Sequence, residues 1–406
     1  MLTLTYEYKL KPTKKQIEES EHILTVCRKV WNYALREKKD WIQSRKCRVD
    51  ACSLESEYII KPDEPFPSYQ TQAKRLTEAK KDNEELKSVN AQVLQQVLRN
   101  LEKSFENMRV RNFGFPRFKN SARMRSFVFP QLKGEILKKN RIKLPQLGWV
   151  KFRLSRPIPD GFVIKQARIV RKASGYFVQL AIQLDVKVPD VPFHGQPLGI
   201  DIGLDQFLAT SNGELVARPK FFKSLHRKLQ LLQRRLKFKK LGSSNRRQLN
   251  QKIARLHQKI SDTRKDFHFQ TAHHLCRQAG AIFVEDIDFR TWAKGMLGKH
   301  TLDAGFGQFF NILSYVAWKT DTYFAKVDKN YTSQTCPNCG CHTGKKTLDV
   351  RVHKCPECGY TTNRDVAAAQ VIRNRGVTAV GQPVAQIASG GVLTGLSSNT
   401  QLVKCR

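Results

Sequence analysis

Leu198-Gly199-Ile200-Asp201-Ile202-Gly203 opens the second half of the chain, and the rest is best read outward from it. An apolar run that ends on a carboxylate stands out in a protein this poor in acids. The 406 residues carry 72 Lys and Arg against 35 Asp and Glu, a formal charge of +37. A second run, Gly280-Ala281-Ile282-Phe283-Val284, is apolar throughout, the pattern of a buried central strand, and it delivers Glu285. Asp365 heads Val366-Ala367-Ala368-Ala369-Gln370-Val371-Ile372, which reads as a strong helix. Two acids that end strands and one that begins a helix can converge although they lie far apart in sequence. Hydrolysis of a phosphodiester by two divalent ions about 3.5–4 Å apart needs such a meeting point. Hard oxygen donors with open water positions suit Mg²⁺, or Mn²⁺ in its place. Asp205, Asp286 and Asp288 lie close by, and pattern does not separate them from Asp201 and Glu285. Asp365, near a helix start, is equally well a partner for the helix dipole.

Between these acids, Phe207–Thr210 and Leu215–Val216 flank Ser211-Asn212-Gly213-Glu214, a hairpin with an Asn-Gly turn. Two basic helices follow. One carries Leu225, Leu229, Leu232 and Leu236, the other Leu249, Ile253, Leu256 and Ile260. Both step by four, three, four, and Leu241-Gly242-Ser243-Ser244 joins them into an antiparallel coiled hairpin with Lys and Arg outside.

Ten cysteines divide in two groups. Cys27, Cys47, Cys52, Cys276 and Cys405 are scattered and read as ordinary small residues. Cys336-Pro337-Asn338-Cys339-Gly340 and Cys355-Pro356-Glu357-Cys358-Gly359 repeat one knuckle, in which two intervening residues aim both sulfurs at one ion. The Gly after each pair permits the left-handed backbone that such a turn uses. Four thiolates leave no open position for water, so the expectation is one structural Zn²⁺ on Cys336, Cys339, Cys355 and Cys358. Cys341, His342 and His353 lie near, but none repeats the spacing.

The N-terminal half begins with Leu2, Leu4, Tyr6, Tyr8 and Leu10 alternating with polar residues, a strand, and Lys11-Pro12-Thr13 breaks it. Thr13 is a candidate N-cap for a helix with Leu24, Cys27, Trp31 and Leu35 on one face. Pro62, Pro65 and Pro67 mark a loop before a longer helix with Leu94, Leu98, Leu101, Phe105 and Met108 in its stripe. After Gly114-Phe115-Pro116-Arg117-Phe118-Lys119, short alternating segments return, most cleanly at Val178, Leu180, Ile182, Leu184 and Val186. Strands at this spacing, with the N-terminal one, predict a small barrel interrupted by a helical insertion.

A charge this large calls for a polyanion, because each neutralised phosphate releases counterions and adds affinity. With 40% hydrophobic residues, 5 Trp and 23 Phe, wholesale disorder is excluded. No run approaches eighteen apolar residues and no lipidation motif is present, so no membrane role is expected. Met1–Tyr8 shows no secretory pattern, and the expected location is the cytoplasm.

In this order the motifs resemble the TnpB family, RNA-guided nucleases carried by bacterial insertion sequences and similar to type V CRISPR effectors. The resemblance rests on Lys9–Thr13, Gly114–Lys119, Gly199–Gly203, Val284-Glu285-Asp286-Ile287 and Asp303-Ala304-Gly305-Phe306-Gly307-Gln308-Phe309. Thr332-Ser333-Gln334-Thr335-Cys336 and Arg364-Asp365 complete it. It implies an α+β multidomain chain. A wedge β-barrel (1–10 and 121–190) holds a helical recognition insert (11–120). An RNase H-like (RuvC) nuclease domain (197–330 and 361–376) holds a zinc ribbon (331–360), and a disordered tail follows at 377–406. It also implies that Asp201, Glu285 and Asp365 are the catalytic, Mg²⁺-binding residues. The implied partners are a guide RNA from the end of the mobile element and double-stranded target DNA with its displaced strand, bound by a monomer. Candidate nucleic-acid contacts are Tyr69, Gln92, Gln95, Gln96, Arg117 and Lys119, since Gln pairs well with adenine. The family usually has Asp where Asn363 stands and Asn where Ala367 stands, which implies tuned rather than abolished activity. The rival readings are a transposase that joins DNA ends, a nuclease-silent guided DNA-binding regulator, and a zinc-ribbon RNA-binding protein without chemistry.

Overall fold

The computed structural model describes residues 2–46, 60–61, 63–132, 134–186, 190–347 and 349–381. The chain falls into two compact units that divide near residue 188.

The first unit is an antiparallel sheet covered by helices. Its order is β2 (Ser126–Phe129), β6 (Val163–Lys172), β7 (Gly175–Leu184), β1 (Leu2–Lys11), β5 (Gly148–Arg153), β4 (Arg141–Leu144) and β3 (Leu137–Lys138). β1 sits centrally, pairing from Leu2↔Leu184 to Lys9↔Phe177 with β7 on one side and from Lys9↔Arg153 to Lys11↔Lys151 with β5 on the other. Pro12 ends it, and Thr13 then starts α1 (Lys14–Ser44) with a capping box: Thr13 Oγ1 accepts from the Gln16 amide and Gln16 Oε1 from the Thr13 amide. Such a cap contributes about 1 kcal/mol. The apolar stripes of α1 and α4 (Ala91–Arg111) join the inward strand residues Tyr8, Phe152, Val178 and Leu180 in one core.

Two expectations change here. The expected barrel is an open sheet, with β2 and β3 as its two ends and no pairing between them among the described residues. The physical reason is the core: α1 and α4 cover the inner face that the far wall of a closed barrel would otherwise cover. The proline loop is also followed by α2 (Tyr69–Asp82) and α3 (Glu84–Lys87) before the longer helix. Ser68 and Asn83 cap these with their side chains, on the amides of Thr71 and Leu86. Their apolar content is too low for periodicity alone to show them.

The second unit is a mixed sheet with helices on both faces. Its order is β10 (Leu215–Ala217), β9 (Gln206–Thr210), β8 (Pro197–Ile202), β11 (Ala281–Glu285) and β12 (Tyr323–Val327). β8, β9 and β10 are antiparallel, joined at the last step by the expected Asn-Gly turn, whereas β8, β11 and β12 run parallel. The five residues of β11 are all buried, as a central parallel strand requires. α5 (Phe221–Lys237) and α6 (Ser244–Gln278) form the basic hairpin. α6 then continues beyond the hairpin to lay Ala272 and Leu275 on the sheet, alongside α9 (Phe306–Lys319). α10 (Arg364–Ala379) covers the other face. Val377–Ala379 were expected to open a disordered tail but belong to α10, where Val377 is buried with Phe283 and Ile372. Gly376 and Val377 there serve close packing of the helix on the sheet. The rest of the expected tail, 382–406, lies outside the described residues. Among the described residues no helix is long and apolar enough to cross a membrane.

Candidate active site and metal centre

The alternation of two strands decides where the acids point. Leu198, Ile200 and Ile202 of β8 and Ile282 and Val284 of β11 pack in the core shared with α6 and α9. Gly199, Asp201, Ala281, Phe283 and Glu285 therefore face the other side, where α10 lies. β8 and β11 pair in parallel, Phe283 with Gly199 and Val284 with Ile200, so Asp201 and Glu285 come next in register on one face.

The third acid arrives because α10 sits flush on the sheet. A Cβ on Gly199 would stand 2.0 Å from the Ala369 carbonyl oxygen, and one on Gly376 would stand 2.1 Å from the Phe283 ring. Two absent side chains thus set the helix height. Ala369 lies one turn beyond Asp365, and Asp201 lies two residues beyond Gly199, so Asp365 is carried over Asp201. Asn363 caps α10 by accepting from the amides of Asp365 and Val366, 2.9 and 3.4 Å away. An Asn keeps the cap that an Asp would make without adding a fourth negative charge beside the other three.

The electrostatics follow from the crowding. Burial pushes the Asp201 carboxyl well above the usual carboxylate range, and the charges of Glu285 and Asp365 push the same way. The Ile202 amide and the Arg364 guanidinium oppose them. Asp201 keeps partial solvent exposure but is walled in by the sheet and α10. Glu285, 8% exposed, is also raised by burial, against a hydrogen bond donated by Thr332 and the charges of Arg375 and Lys329. The mutual repulsion rests on Asp201, the carboxyl facing both others. Three acids facing one another without a cation are mutually destabilising, and a divalent ion reverses the sign of every one of those interactions. The donor set, all hard carboxylate oxygen, fits Mg²⁺ or Mn²⁺.

The neighbouring acids separate cleanly. Asp205 pairs with Arg351 at 3.3 Å, and Asp286 pairs with Lys326 at 2.9 Å. Asp288 caps α7 (Phe289–Lys294) and binds Arg290, whose hydrogen bonds hold its carboxyl down to about 2. All three face solvent.

The four knuckle cysteines form a tighter centre. Their sulfurs all lie within 4.8 Å of one another, which among the described residues holds for no other set of three or more His, Cys, Asp or Glu. The Cys336–Cys358 and Cys339–Cys355 separations are 3.7 and 3.6 Å. A tetrahedron with Zn–S bonds of about 2.3 Å has edges of about 3.8 Å, so these sulfurs fit Zn²⁺. Gly340 and Gly359 take φ of +74° and +71° and return their amides to the Cys336 and Cys355 carbonyls. The Tyr360 amide, with Asn338, pulls the Cys358 thiol down to about 6, while burial pushes Cys336 up. Cys341 stands outside the tetrad. His342 packs on Tyr331, and His353 faces Lys346 at 2.8 Å.

The candidate nucleic-acid residues of the first unit are partly committed to the fold. Tyr69 accepts from Arg99 Nε at 3.0 Å, Gln92 donates to Gln131, and Gln96 donates to Asn100. Gln95 is half-buried and Arg117 exposed. Lys119 lies 3.3 Å over the Trp31 ring, and burial lowers its ammonium to about 8. Trp31, Gln96, Asn100, Lys119 and Arg123 line one open cleft. Sequence reasoning assigned no role to Thr332, Gly199 or Gly376. Thr332 and Gly199 lie within motifs that carry the resemblance, and Gly376, after Arg373-Asn374-Arg375, has nothing in its neighbours to mark it.

A family model described as a probable transposase, OrfB of IS605, matches residues 180–295. A Cas12f1-like TNB domain matches 306–372, and a helix-turn-helix domain of the same OrfB family matches 1–47. In this chain the described part of that last stretch is β1 and the single long helix α1, not two helices about a turn. A putative RNA-guided DNA endonuclease of Streptomyces pristinaespiralis is 28% identical over 92% of this chain and 89% of its own length. The putative RNA-guided DNA endonuclease InsQ of Escherichia coli is 28% identical over 93% and 94%. In fold, the chain is similar to Cas12f1 solved with its guide RNA and target DNA, with a TM-score of 0.54 at 15% identity over 89% of this chain and 83% of the other.

Proposed function

We propose that this chain, which carries the domains of the IS605 OrfB (TnpB) family, is an RNA-guided DNA endonuclease of a transposable element. The observation that carries the chemistry is the facing of Asp201 and Glu285 on adjacent parallel strands beneath the start of the helix that bears Asp365. In this reading the second unit is an RNase H-like (RuvC) nuclease with a zinc ribbon inserted between β12 and α10. The first is a wedge sheet with a helical recognition insert.

Asp201, Glu285 and Asp365 would hold Mg²⁺, which when bound would supply activation of a water and charge stabilisation of the leaving oxygen. The chain's own contribution is to keep three negative groups together in a half-closed site, where burial excludes bulk water. Guide RNA pairing reads the target, and the protein holds the heteroduplex by shape and backbone and reads only a short motif beside it. The stretch between Glu214 and Asp262, which leads into and includes most of the hairpin of α5 and α6, has 15 Lys and Arg and no acid, which suits a phosphate backbone. The four cysteines hold one Zn²⁺, whose binding energy is folding energy for the ribbon. We place the protein in a bacterial cytoplasm, as a monomer with one RNA.

The test is cleavage of a plasmid that carries the guide-matched sequence, with guide RNA and Mg²⁺. Wild type should linearise it; Asp201→Asn should bind the same target and leave it intact. A variant that still cuts would show that the site is elsewhere. The description of the segment 180–295 as a probable transposase supports a second reading, strand transfer. Joined products in an assay with labelled element ends would favour it.

A further inference from the structure

Glu285 ends β11 and needs something beyond its strand to fix its carboxylate. Thr332 is 6% exposed, and its hydroxyl donates to Glu285 Oε1. It opens a single 3-10 turn, Thr332–Gln334, entered through Tyr331 at φ +58°. The turn is held from both sides. Thr335 Oγ1 donates to the Tyr331 carbonyl at 2.9 Å, and the Thr343 amide donates to the Gln334 carbonyl at 2.7 Å. One residue past Thr335, Cys336 begins the first knuckle, and its amide donates to the Cys341 carbonyl at 2.8 Å. α10 ties both ends to itself: Arg375 donates to the Asp328 and Asn330 carbonyls at 2.9 and 2.6 Å, and Asn374 to the Pro337 carbonyl at 2.9 Å. The helix that carries Asp365 therefore also clamps the segment that carries Thr332.

We propose that Thr332 is a positioning residue: its hydroxyl, set by the turn that leads into the first cysteine knuckle, orients the Glu285 carboxylate for a divalent ion. This rests on the function proposed above. Thr332 touches neither metal nor substrate in this account. It takes one lone-pair direction of Oε1 and leaves the remaining directions for the ion. A carboxylate pinned in one orientation loses less freedom when it binds, and outer partners of this kind are worth about 10–100-fold in metal affinity or activity.

The experiment uses the full chain with its zinc retained and compares wild type, Thr332→Val, Thr332→Ser, and Asp201→Asn as the control. Mn²⁺ binding is followed by the loss of the free-ion EPR signal, without nucleic acid and without turnover. The Mg²⁺ needed for half-maximal guided cleavage is measured in parallel. Thr332→Val, which keeps shape and removes the hydroxyl, should weaken Mn²⁺ binding about tenfold and raise the Mg²⁺ requirement similarly. Thr332→Ser should restore both to within about threefold, and thermal melting should show that each variant is folded. Unchanged Mn²⁺ affinity in Thr332→Val would overturn the inference, as would Thr332→Ser behaving like Thr332→Val, since the methyl group and not the hydroxyl would then matter. If Asp201→Asn binds Mn²⁺ as wild type does, the ion is not at the carboxylates, and the proposed function fails with the inference.

Discussion

The second unit contains two clusters of metal-ligand type built in opposite ways. The four cysteines come from two short turns of one design, each supplying two sulfurs, and sulfurs of one turn stand 3.6–3.7 Å from those of the other. The three carboxylates come from residues 201, 285 and 365, and two strands, a helix and two missing side chains bring them together. The cysteine set is closed and fits an ion that holds structure. The carboxylate set is wider, half-open and electrostatically unfavourable until a cation enters, which suits an ion that meets substrate. Local chain geometry builds each half of the first, which then needs one short-range pairing of two turns, whereas the second is assembled by the tertiary fold of the whole unit. An ion on the cysteine set would add to stability, whereas burial and repulsion at Asp201 oppose it.

The largest expected effect separates the two at once. Structural zinc contributes about 10–16 kcal/mol of apparent binding energy in small zinc domains. Metal analysis should find one zinc per chain, and its removal by a strong chelator should lower the melting temperature; an unchanged melt would break the comparison. Glu285→Gln, which preserves volume and removes a charge, should reduce guided cleavage about a thousandfold, or about 4 kcal/mol in activation free energy, with target binding retained. Gly199→Ala should cost about 1–3 kcal/mol of stability by overpacking, because its Cβ meets backbone that cannot turn aside. It should reduce cleavage more than binding, as α10 lifts Asp365 away. Asn363→Ala should cost about 1 kcal/mol through the lost cap, a denaturant-midpoint shift that Asn363→Asp should largely avoid.

A pH series sharpens the contrast. Asp201 and Glu285 have folded pKa values above their unfolded ones. The stability they contribute is thus fully present below the unfolded carboxylate value of about 4 and is lost as pH rises through the raised folded values. In Mg²⁺-free buffer, with zinc retained, melts should show stability falling toward neutral pH. Added Mg²⁺ should recover it, and Asp201→Asn should melt higher than wild type near pH 7 and respond less to Mg²⁺. A melting temperature of Asp201→Asn below that of wild type would show that the repulsion is not the governing term.

Much of this was legible in residues. The knuckles, the Asn-Gly hairpin, the basic coiled pair and the buried β11 each followed from spacing or period, because each is decided by neighbours within a few positions. The barrel was legible only in part, as an open half of one, for the same reason: alternation shows that a strand has an inner face, not whether another strand or a helix covers it. Val377 was misjudged because a helix end of Gly and Val looks disordered until a sheet lies beneath it. Pattern left Asp201 and Glu285 tied with Asp205, Asp286 and Asp288. The tie broke only when three of these found surface cations.

Residue content and spacing alone carry the chemical inventory: a large excess of basic side chains, four thiols at metal spacing, and acids placed at the ends of ordered elements. These are short-range properties, carried by composition and by separations of two to four residues. Only the tertiary structure decided which acids share a face, that Gly199 and Gly376 let a helix lie close enough to deliver the third, and that Thr332 reaches Glu285 across 47 positions. Such contacts depend on how strands pair and helices pack, and those are choices of the whole chain rather than of any segment.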